Sequence, residues 1–292
     1  MATFAKSSFS AASYAAFRPT YPHSLYQTVL CYHRGAKNRL VDLGCGTGIV
    51  PRYLSKEFKQ VIGTDPSPVM IKKARESTLE SEYPNVDYRL SSAESLPFLE
   101  DNSVDMVVAA QAAHWFDYSR LFPELKRVLR KEGTVAFWGY KDHVYIGYPE
   151  ASKIMLQYCY GKDPDRQLGP YWEPGRSITV EKLRPIKPPQ ADFDDVQRVE
   201  YEPDSRGKAA GEGTLFVEKQ MTLAQSMEYI RTFSSFHEWA KQHPDNKKRS
   251  EGGQGDLVDW MYDDMKKAEG WTDENMMLDI EWGSALVMCR KV

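Results

Sequence analysis

Short apolar runs alternate with amphipathic stretches over the first half of the chain. The apolar runs, which predict β-strands, are 39–43, 60–64, 86–90, 104–110 and 133–138. The amphipathic stretches, which predict α-helices, are 22–33, 47–58, 67–79 and 118–129. Strands that alternate with long helical segments are typical of a parallel sheet with helices on both faces. The pattern therefore predicts an α/β fold built on a doubly wound sheet.

This regularity ends after Tyr140, where proline, glycine, tyrosine and charged residues become frequent. Further on, strands are predicted at 193–201 and 277–290, and helices at 223–240 and 256–267. Insertions at the carboxyl edge of a parallel sheet usually build the substrate side of a site. We therefore expect one domain over 1–292, with an N-terminal lid segment at 1–38. An aromatic-rich insertion and cap on the substrate side is expected at 141–240.

A glycine-rich turn follows the first predicted strand. Asp42 lies near the end of that strand, and glycines occupy alternate positions from Gly44 to Gly48. Because glycine has no Cβ, the chain can turn sharply there and a ligand can touch the backbone. The N–H groups at the start of the next helix then face the anionic end of the ligand. A strand, a glycine turn and a helix in this order predict a nucleotide-type binding site.

Two acidic residues distinguish between possible nucleotide-type ligands. Dinucleotide binding favours G-x-G-x-x-G, whereas the spacing here is G-x-G-x-G. Asp65 follows the second strand, where a carboxylate can accept hydrogen bonds from both ribose hydroxyls. Asp42 would repel a pyrophosphate but attract the ammonium group of an amino acid, by roughly 1–4 kcal/mol depending on burial. The charge pattern therefore favours S-adenosylmethionine over NAD.

Composition limits the classes of partner. Hydrophobic residues make up 41% of the 292 residues, enough for a buried core, and a net charge of -3 gives no reason to expect nucleic acid binding. Four widely spaced cysteines disfavour a zinc site or a disulfide framework. No apolar stretch approaches the ~18 residues of a membrane span, and the N-terminus lacks a signal-peptide core. We expect a cytoplasmic protein without metal or membrane partners; its oligomeric state stays open.

Motifs rich in aromatic residues occur along nearly the whole chain. They are Arg18-Pro19-x-Tyr21-Pro22, Ala113-His114-Trp115-Phe116-Asp117, Phe137-Trp138-Gly139-Tyr140 and Leu168-Gly169-Pro170-Tyr171-Trp172-Glu173-Pro174-Gly175-Arg176. With the glycine turn, they make the chain resemble the class I S-adenosylmethionine-dependent methyltransferases. Within that family, it resembles the fungal trans-aconitate methyltransferases and their cantharidin-responsive relatives. The resemblance implies a Rossmann-like sheet of seven strands, the last of them antiparallel.

The resemblance also implies a set of cofactor-binding residues. The set is Tyr14, Arg18, Tyr21, Asp42, Gly44, Cys45, Gly46, Asp65, Pro66, Met70, Ser92, Ala93, Glu94, Gln111 and Ala112. In this interpretation, Asp42 faces the methionine portion, Asp65 the ribose and Glu94 the adenine edge. Tyr14, Arg18 and Tyr21 would close the lid over the cofactor carboxylate. Alternatively, the lid segment only caps a helix and packs against it.

A second set of residues is expected to bind the methyl acceptor. The set is His114, Trp115, Trp138, Tyr140, Trp172, Arg176, Tyr229 and Arg231. His114 is the candidate general base, or alternatively packs beside Trp115. Arg176 and Arg231 can pair bidentately with an acceptor carboxylate. Alternatively, Arg231 is a surface residue and Trp138 fills the core.

Methyl transfer from a sulfonium is an in-line displacement, in which the enzyme mainly aligns the reactants and excludes water. A carboxylate with a pKa near 4 is already ionised at neutral pH and needs no base, whereas a phenol, thiol or amine usually needs one. The expected reaction is esterification of a small acid such as trans-aconitate. Alternatives are methylation of an oxygen, nitrogen or sulfur of a fungal secondary metabolite, a regulatory partner that binds the cofactor without turnover, and a dehydrogenase.

Overall fold

The computed structural model of the protein describes residues 17–205, 217–273 and 275–292. Its strands are β1 (Arg39–Leu43), β2 (Gln60–Asp65), β3 (Val86–Leu90), β4 (Val104–Ala110), β5 (Leu129–Tyr145), β6 (Phe193–Tyr201), β7 (Val217–Thr222) and β8 (Met277–Lys291). They form one sheet in the order β3-β2-β1-β4-β5-β8-β6, with β7 beside β8. Strands β1 to β5 pair in parallel, and β8 pairs antiparallel with β5. The predicted α/β fold and the antiparallel last strand are confirmed.

The predicted count of seven strands is wrong, because the sheet has eight strands within the described ranges. The additional strand is β7, which pairs with the first half of β8, while β6 pairs with the second half. Only two of the six side chains of β7 are buried, and three of its residues are charged or amide-bearing. Such a short edge strand lacks the apolar run that marks a central strand.

The helices are α1 (His23–Tyr32), α2 (Ile49–Leu54), α3 (Pro68–Glu76), α4 (Tyr118–Val128), α5 (Pro149–Tyr160), α6 (Arg176–Val180), α7 (Leu223–Arg231), α8 (Ser234–Gln242) and α9 (Leu257–Glu269). The helix predicted at 223–240 is therefore two helices. The hydroxyl of Thr232 donates to the carbonyl of Tyr229 at 2.6 Å, and Phe233 leaves the helical conformation with ψ at 141°. Helices α5 and α6 lie in the first part of the insertion, before residue 193, where the sequence predicted no helix. None of the helices in the described ranges is long and apolar enough to cross a bilayer.

Successive side chains of the central strands point to opposite faces of the sheet, as a pleated strand requires. On β4, Val107 and Ala109 pack into one hydrophobic cluster, whereas Met106 and Val108 pack into another. The cap that follows β5 has a third cluster of its own, which includes Trp282 from β8. The cap therefore has a hydrophobic core of its own beside the two that cover the faces of the sheet.

Candidate cofactor and acceptor site

A first cavity lies at the carboxyl ends of β1, β2 and β4. This is the point where the strand order reverses between β1 and β4, which is where open α/β sheets bind ligands. Its lining residues are Tyr21, Asp42, Gly44, Cys45, Gly46, Thr47, Ile49, Val50, Asp65, Pro66, Ser67, Met70, Ser92, Ala93, Glu94, Ala110, Gln111, Ala112, Trp115 and Phe116. Every residue predicted for the cofactor is among them except Arg18, which lies elsewhere, and Tyr14, which is outside the described residues.

The turn after β1 requires glycine at two positions. Gly44 has a φ of +68°, and a Cβ there would lie 2.5 Å from the Cβ of Ala112. Gly48 has a φ of +82°, and a Cβ there would lie 2.2 Å from the hydroxyl of Tyr88. Both the left-handed backbone and the close contacts exclude a side chain. The turn therefore places the backbone of the loop directly against the first cavity.

Asp42 is a buried carboxylate that lacks a hydrogen-bond partner. It is 1% exposed, and neither side-chain oxygen has a donor in the described part of the chain. Burial, and then the nearby carboxylate of Asp65, raise the pKa of Asp42 well above its usual range. An unpaired buried charge is costly, so the site is prepared for a cationic group. An ammonium group of a ligand in the first cavity would supply that charge.

Asp65 is held in place by the backbone on either side of the cavity. Its Oδ2 accepts from the N–H of Gly46 at 3.0 Å, and its Oδ1 accepts from the N–H of Ser67 at 2.8 Å. Burial raises its pKa, although these two hydrogen bonds oppose the shift. An ionised carboxylate offers about four acceptor sites, so capacity remains for two ligand hydroxyls. The predicted contact with a ribose is therefore chemically available.

A second cavity adjoins the first, since Gln111 and Trp115 line both. Its other lining residues are Arg18, His114, Tyr140, Lys141, Trp172, Glu173, Arg176, Tyr229, Phe233 and Ser234. Of the residues predicted to bind the acceptor, His114, Trp115, Tyr140, Trp172, Arg176 and Tyr229 are brought together here. Lys141, Glu173, Phe233 and Ser234 also line it and were not predicted for either ligand. Glu173 lies within one of the aromatic motifs recognised in the sequence, whereas Phe233 lies at the break between α7 and α8.

Arg18 was predicted to cover the cofactor carboxylate, but it lines the second cavity and not the first. Its Nη1 donates to the hydroxyl of Tyr140 at 3.4 Å, and its Nη2 donates to the carbonyl of Thr232 at 3.2 Å. The guanidinium carbon lies 5.4 Å from the ring centroid of Tyr229 and 5.6 Å from that of Phe233. These contacts with the cap draw the side chain into the second cavity. Tyr21, three residues later in the chain, lines the first cavity.

Two further residues predicted for the acceptor line neither cavity. Trp138 is 1% exposed and packs in the sheet cluster, with its ring 5.8 Å from that of Tyr21. Arg231 forms ion pairs with Asp256 at 2.7 Å and Asp259 at 3.0 Å, which hold it against α9. The core interpretation is therefore correct for Trp138. Arg231 is a structural ion-pair residue of the cap.

His114 is partly buried, and its ring lies 4.8 Å from that of Trp115. Burial, with further contributions from the charges of Arg176 and Arg18, lowers the pKa of His114 to about 3. Neither ring nitrogen makes a hydrogen bond to another described residue. The imidazole is therefore neutral near pH 7, and its conjugate acid is far more acidic than that of an ordinary histidine. It is a weak proton acceptor.

The fold and the first cavity define a class of protein. A doubly wound sheet with an antiparallel last strand, a glycine turn, an unpaired acid for an amine and a second acid for a sugar form a site suited to S-adenosylmethionine. Residues 41–137 match the family model described as a methyltransferase domain. A protein of Saccharomyces cerevisiae named "Probable S-adenosylmethionine-dependent methyltransferase CRG1" is 31% identical over 99% of this chain and 98% of its own. The chain belongs to the class I S-adenosylmethionine-dependent methyltransferases.

Two further comparisons agree with this assignment. A relative from Dictyostelium discoideum, named as a methyltransferase, is 28% identical over 96% of this chain and 92% of its own. A solved structure from Anaeromyxobacter dehalogenans, described as a type II methyltransferase, superposes with a TM-score of 0.68 and is 25% identical. That match covers 94% of this chain and 98% of the other. The protein is an enzyme that uses S-adenosylmethionine, and the residues of the first cavity fit this cofactor.

Proposed function

We propose that the enzyme methylates a carboxylate of a small organic acid, such as trans-aconitate, and forms a methyl ester. The observation that carries the proposal is the pairing of two features in the second cavity. Two arginines, Arg18 and Arg176, line it, and its histidine is a weak base. An anionic acceptor matches the first feature, and an acceptor that needs no deprotonation matches the second.

When bound, S-adenosylmethionine supplies a methyl group that is already activated by the sulfonium. The residues of the chain then have to hold the acceptor in line and exclude water. Gln111 and Trp115 line both cavities, so they flank the place where the acceptor would meet the methyl group. Asp42 would hold the amine of the cofactor and Asp65 its ribose. None of these roles requires a proton to be taken from the acceptor.

The nucleophile determines whether a base is needed. A carboxylate with a pKa near 4 is ionised at neutral pH and can attack directly. A phenol, thiol or ammonium group must first lose a proton, usually to a group whose pKa lies near the working pH. Since the pKa of His114 is lowered to about 3, it is poorly suited to that task. The electrostatics of the cavity therefore support an acid as the acceptor.

A second acceptor class has its own support. The second cavity also contains the carboxylate of Glu173 and the rings of Tyr140, Trp172 and Phe233. Aromatic walls suit an apolar metabolite, and a carboxylate is a possible proton acceptor for a hydroxyl or amine. Methylation of an oxygen, nitrogen or sulfur of a secondary metabolite is therefore the alternative proposal.

An assay with methyl-labelled S-adenosylmethionine tests the proposal. Trans-aconitate and related small acids would be compared with phenol, amine and thiol acceptors of similar size. We expect label in a product that mild base hydrolyses, because esters are base-labile and methyl ethers and amines are not. Label that appears only in base-stable products would refute the proposal and favour the alternative.

A further inference from the structure

Arg176 is fixed in the second cavity from several directions. Its Nη2 donates to Oδ1 of Asp142, and its Nε and Nη2 both donate to the hydroxyl of Tyr160, at 3.0 and 2.7 Å. The guanidinium carbon lies 4.4 Å from the ring centroid of Trp172, which the planar cation covers. These contacts therefore hold the guanidinium of Arg176 in one position, although an arginine side chain is flexible by itself.

Asp142 and Tyr160 complete a closed set of hydrogen bonds around Arg176. The hydroxyl of Tyr160 donates to Oδ2 of Asp142 at 2.7 Å, so each carboxylate oxygen of Asp142 has one partner. Asp142 is 7% exposed and lies on β5, two residues after the cavity residue Tyr140. A buried arginine without a counter-charge would be costly, and Asp142 compensates that charge from behind the cavity wall.

Counting the donors shows which part of Arg176 is available to a ligand. A guanidinium has five N–H groups. The Nε group and both groups on Nη2 are used by Asp142 and Tyr160, whereas the two groups on Nη1 have no acceptor among the described residues. The bidentate pairing expected from the sequence would need an unoccupied edge, either Nε with Nη2 or Nη1 with Nη2. Neither edge is available, so a carboxylate contacts Arg176 end-on through Nη1.

We propose that Asp142 is a positioning residue of the acceptor site, which with Tyr160 orients Arg176 so that Nη1 is offered to an acceptor carboxylate. This inference rests on the proposed function for the charge of the acceptor. It assigns no contact between Asp142 and the acceptor or the cofactor. Asp142 therefore acts only through Arg176, and this restriction can be tested directly.

A double-mutant cycle measures that dependence. Asp142→Ala should raise the KM for trans-aconitate by at least about tenfold, because a displaced guanidinium no longer faces the acceptor. The Kd of S-adenosylhomocysteine, measured by calorimetry, should stay within about twofold, since the first cavity is unchanged. In an Arg176→Ala background, Asp142→Ala should add nothing to the KM. The inference would be overturned if the KM of the double variant rose by the product of the two single-variant increases.

A matched control separates positioning from a loss of fold. Asp256 is 3% exposed and paired with Arg231, but it lies outside both cavities. Asp256→Asn should leave the KM and the Kd within about twofold, and Asp142→Asn should raise the KM in the same direction as Asp142→Ala. The milder Asn variant also serves if Asp142→Ala does not fold. In Asp142→Asn, the amide nitrogen that replaces one carboxylate oxygen cannot accept a hydrogen bond from Arg176 or Tyr160.

A crystal structure of the Asp142 variants gives a readout that needs no acceptor. We expect the guanidinium of Arg176 to leave the ring of Trp172 or rotate its Nη1 away from the cavity. A side chain that keeps its position would overturn the inference even if the esterification assay succeeded. Conversely, a wild-type enzyme that does not esterify trans-aconitate would count against the proposed function, while the structure would still decide the role of Asp142.

Discussion

Gln111 makes hydrogen bonds to both backbone groups of Tyr140. Its Nε2 donates to the carbonyl at 2.9 Å, and its Oε1 accepts from the N–H at 2.7 Å. Gln111 has a φ of +53°, and a Cβ on Gly139 would lie 2.7 Å from its Oε1. The pair connects the end of β4 to β5 at the wall shared by the two cavities. A strained residue with two specific hydrogen bonds is typical of a site that must be held rigidly.

Replacing Gln111 should affect both ligands. Gln111→Leu removes both hydrogen bonds and leaves the two backbone groups of Tyr140 without these partners, so we expect a loss of about 1–3 kcal/mol in the free energy of unfolding. The Kd of S-adenosylhomocysteine and the acceptor KM should both rise, because the shared wall moves. Denaturant unfolding and calorimetry measure these effects. A change in only one ligand's affinity would show that Gln111 does not connect the two cavities.

The carboxyl group of Asp42 should lower the stability of the ligand-free enzyme and should be needed for tight binding of the cofactor. Asp42→Asn removes the cost of ionising a buried carboxyl without a partner, so the ligand-free enzyme should gain about 1 kcal/mol in the free energy of unfolding at pH values above the raised pKa of Asp42. The Kd of the cofactor should rise by about 10-fold to 100-fold, because an amide attracts an ammonium group more weakly than a carboxylate does. Thermal unfolding and calorimetry give the two values. A destabilised variant that binds the cofactor normally would contradict the assigned role.

The raised pKa of Asp42 should make the affinity for the cofactor depend on pH. Burial and Asp65 raise the pKa of Asp42 in the ligand-free enzyme, and an ammonium group beside the ionised carboxylate would lower it again. Binding therefore releases a proton, and affinity should rise with pH up to the raised pKa and then level off. Calorimetry with S-adenosylhomocysteine in buffers of different ionisation enthalpy detects this release. The proton release should disappear in Asp42→Asn. Proton uptake by the wild type on binding would be inconsistent with the role assigned to Asp42.

His114 should be dispensable for an acid acceptor. Since its pKa is about 3, no titration of this residue should appear in the rate between about pH 5 and 8. His114→Ala should reduce kcat on trans-aconitate by less than about tenfold, whereas general-base catalysis contributes about 100-fold to 10,000-fold where it operates. Steady-state kinetics with both acceptor classes make the comparison. A collapse of the rate on trans-aconitate would assign His114 a direct role in catalysis.

The first cavity was largely predictable from sequence because chain order fixes where it forms. In a parallel sheet, the carboxyl ends of neighbouring strands meet at one edge, so Asp42 and Asp65 had to lie close together once β1 and β2 were recognised. Gly44 and Gly48 were identified by their alternate spacing directly after the first strand. These residues depend on local geometry that the sequence pattern encodes directly.

The second cavity was less predictable because cap residues from distant parts of the chain build it. Arg231 was a candidate beside Arg176, but it is paired with acids at the start of α9, which sequence spacing does not reveal. Arg18 was assigned to the cofactor, although its contacts with Thr232 and Tyr140 draw it toward the cap. Asp142 gave no signal, since it lies beyond the strand predicted at 133–138, among the charged residues of the insertion.

The central claim is that two adjoining cavities hold the cofactor and an acid on either side of Gln111 and Trp115. A crystal structure of the enzyme with S-adenosylhomocysteine and trans-aconitate tests it most directly. We expect the cofactor amine at Asp42, its ribose at Asp65, and a carboxylate of the acid between Arg18 and Nη1 of Arg176, facing the sulfur. A cofactor that lies away from both acids, or an acid bound outside the second cavity, would contradict the account.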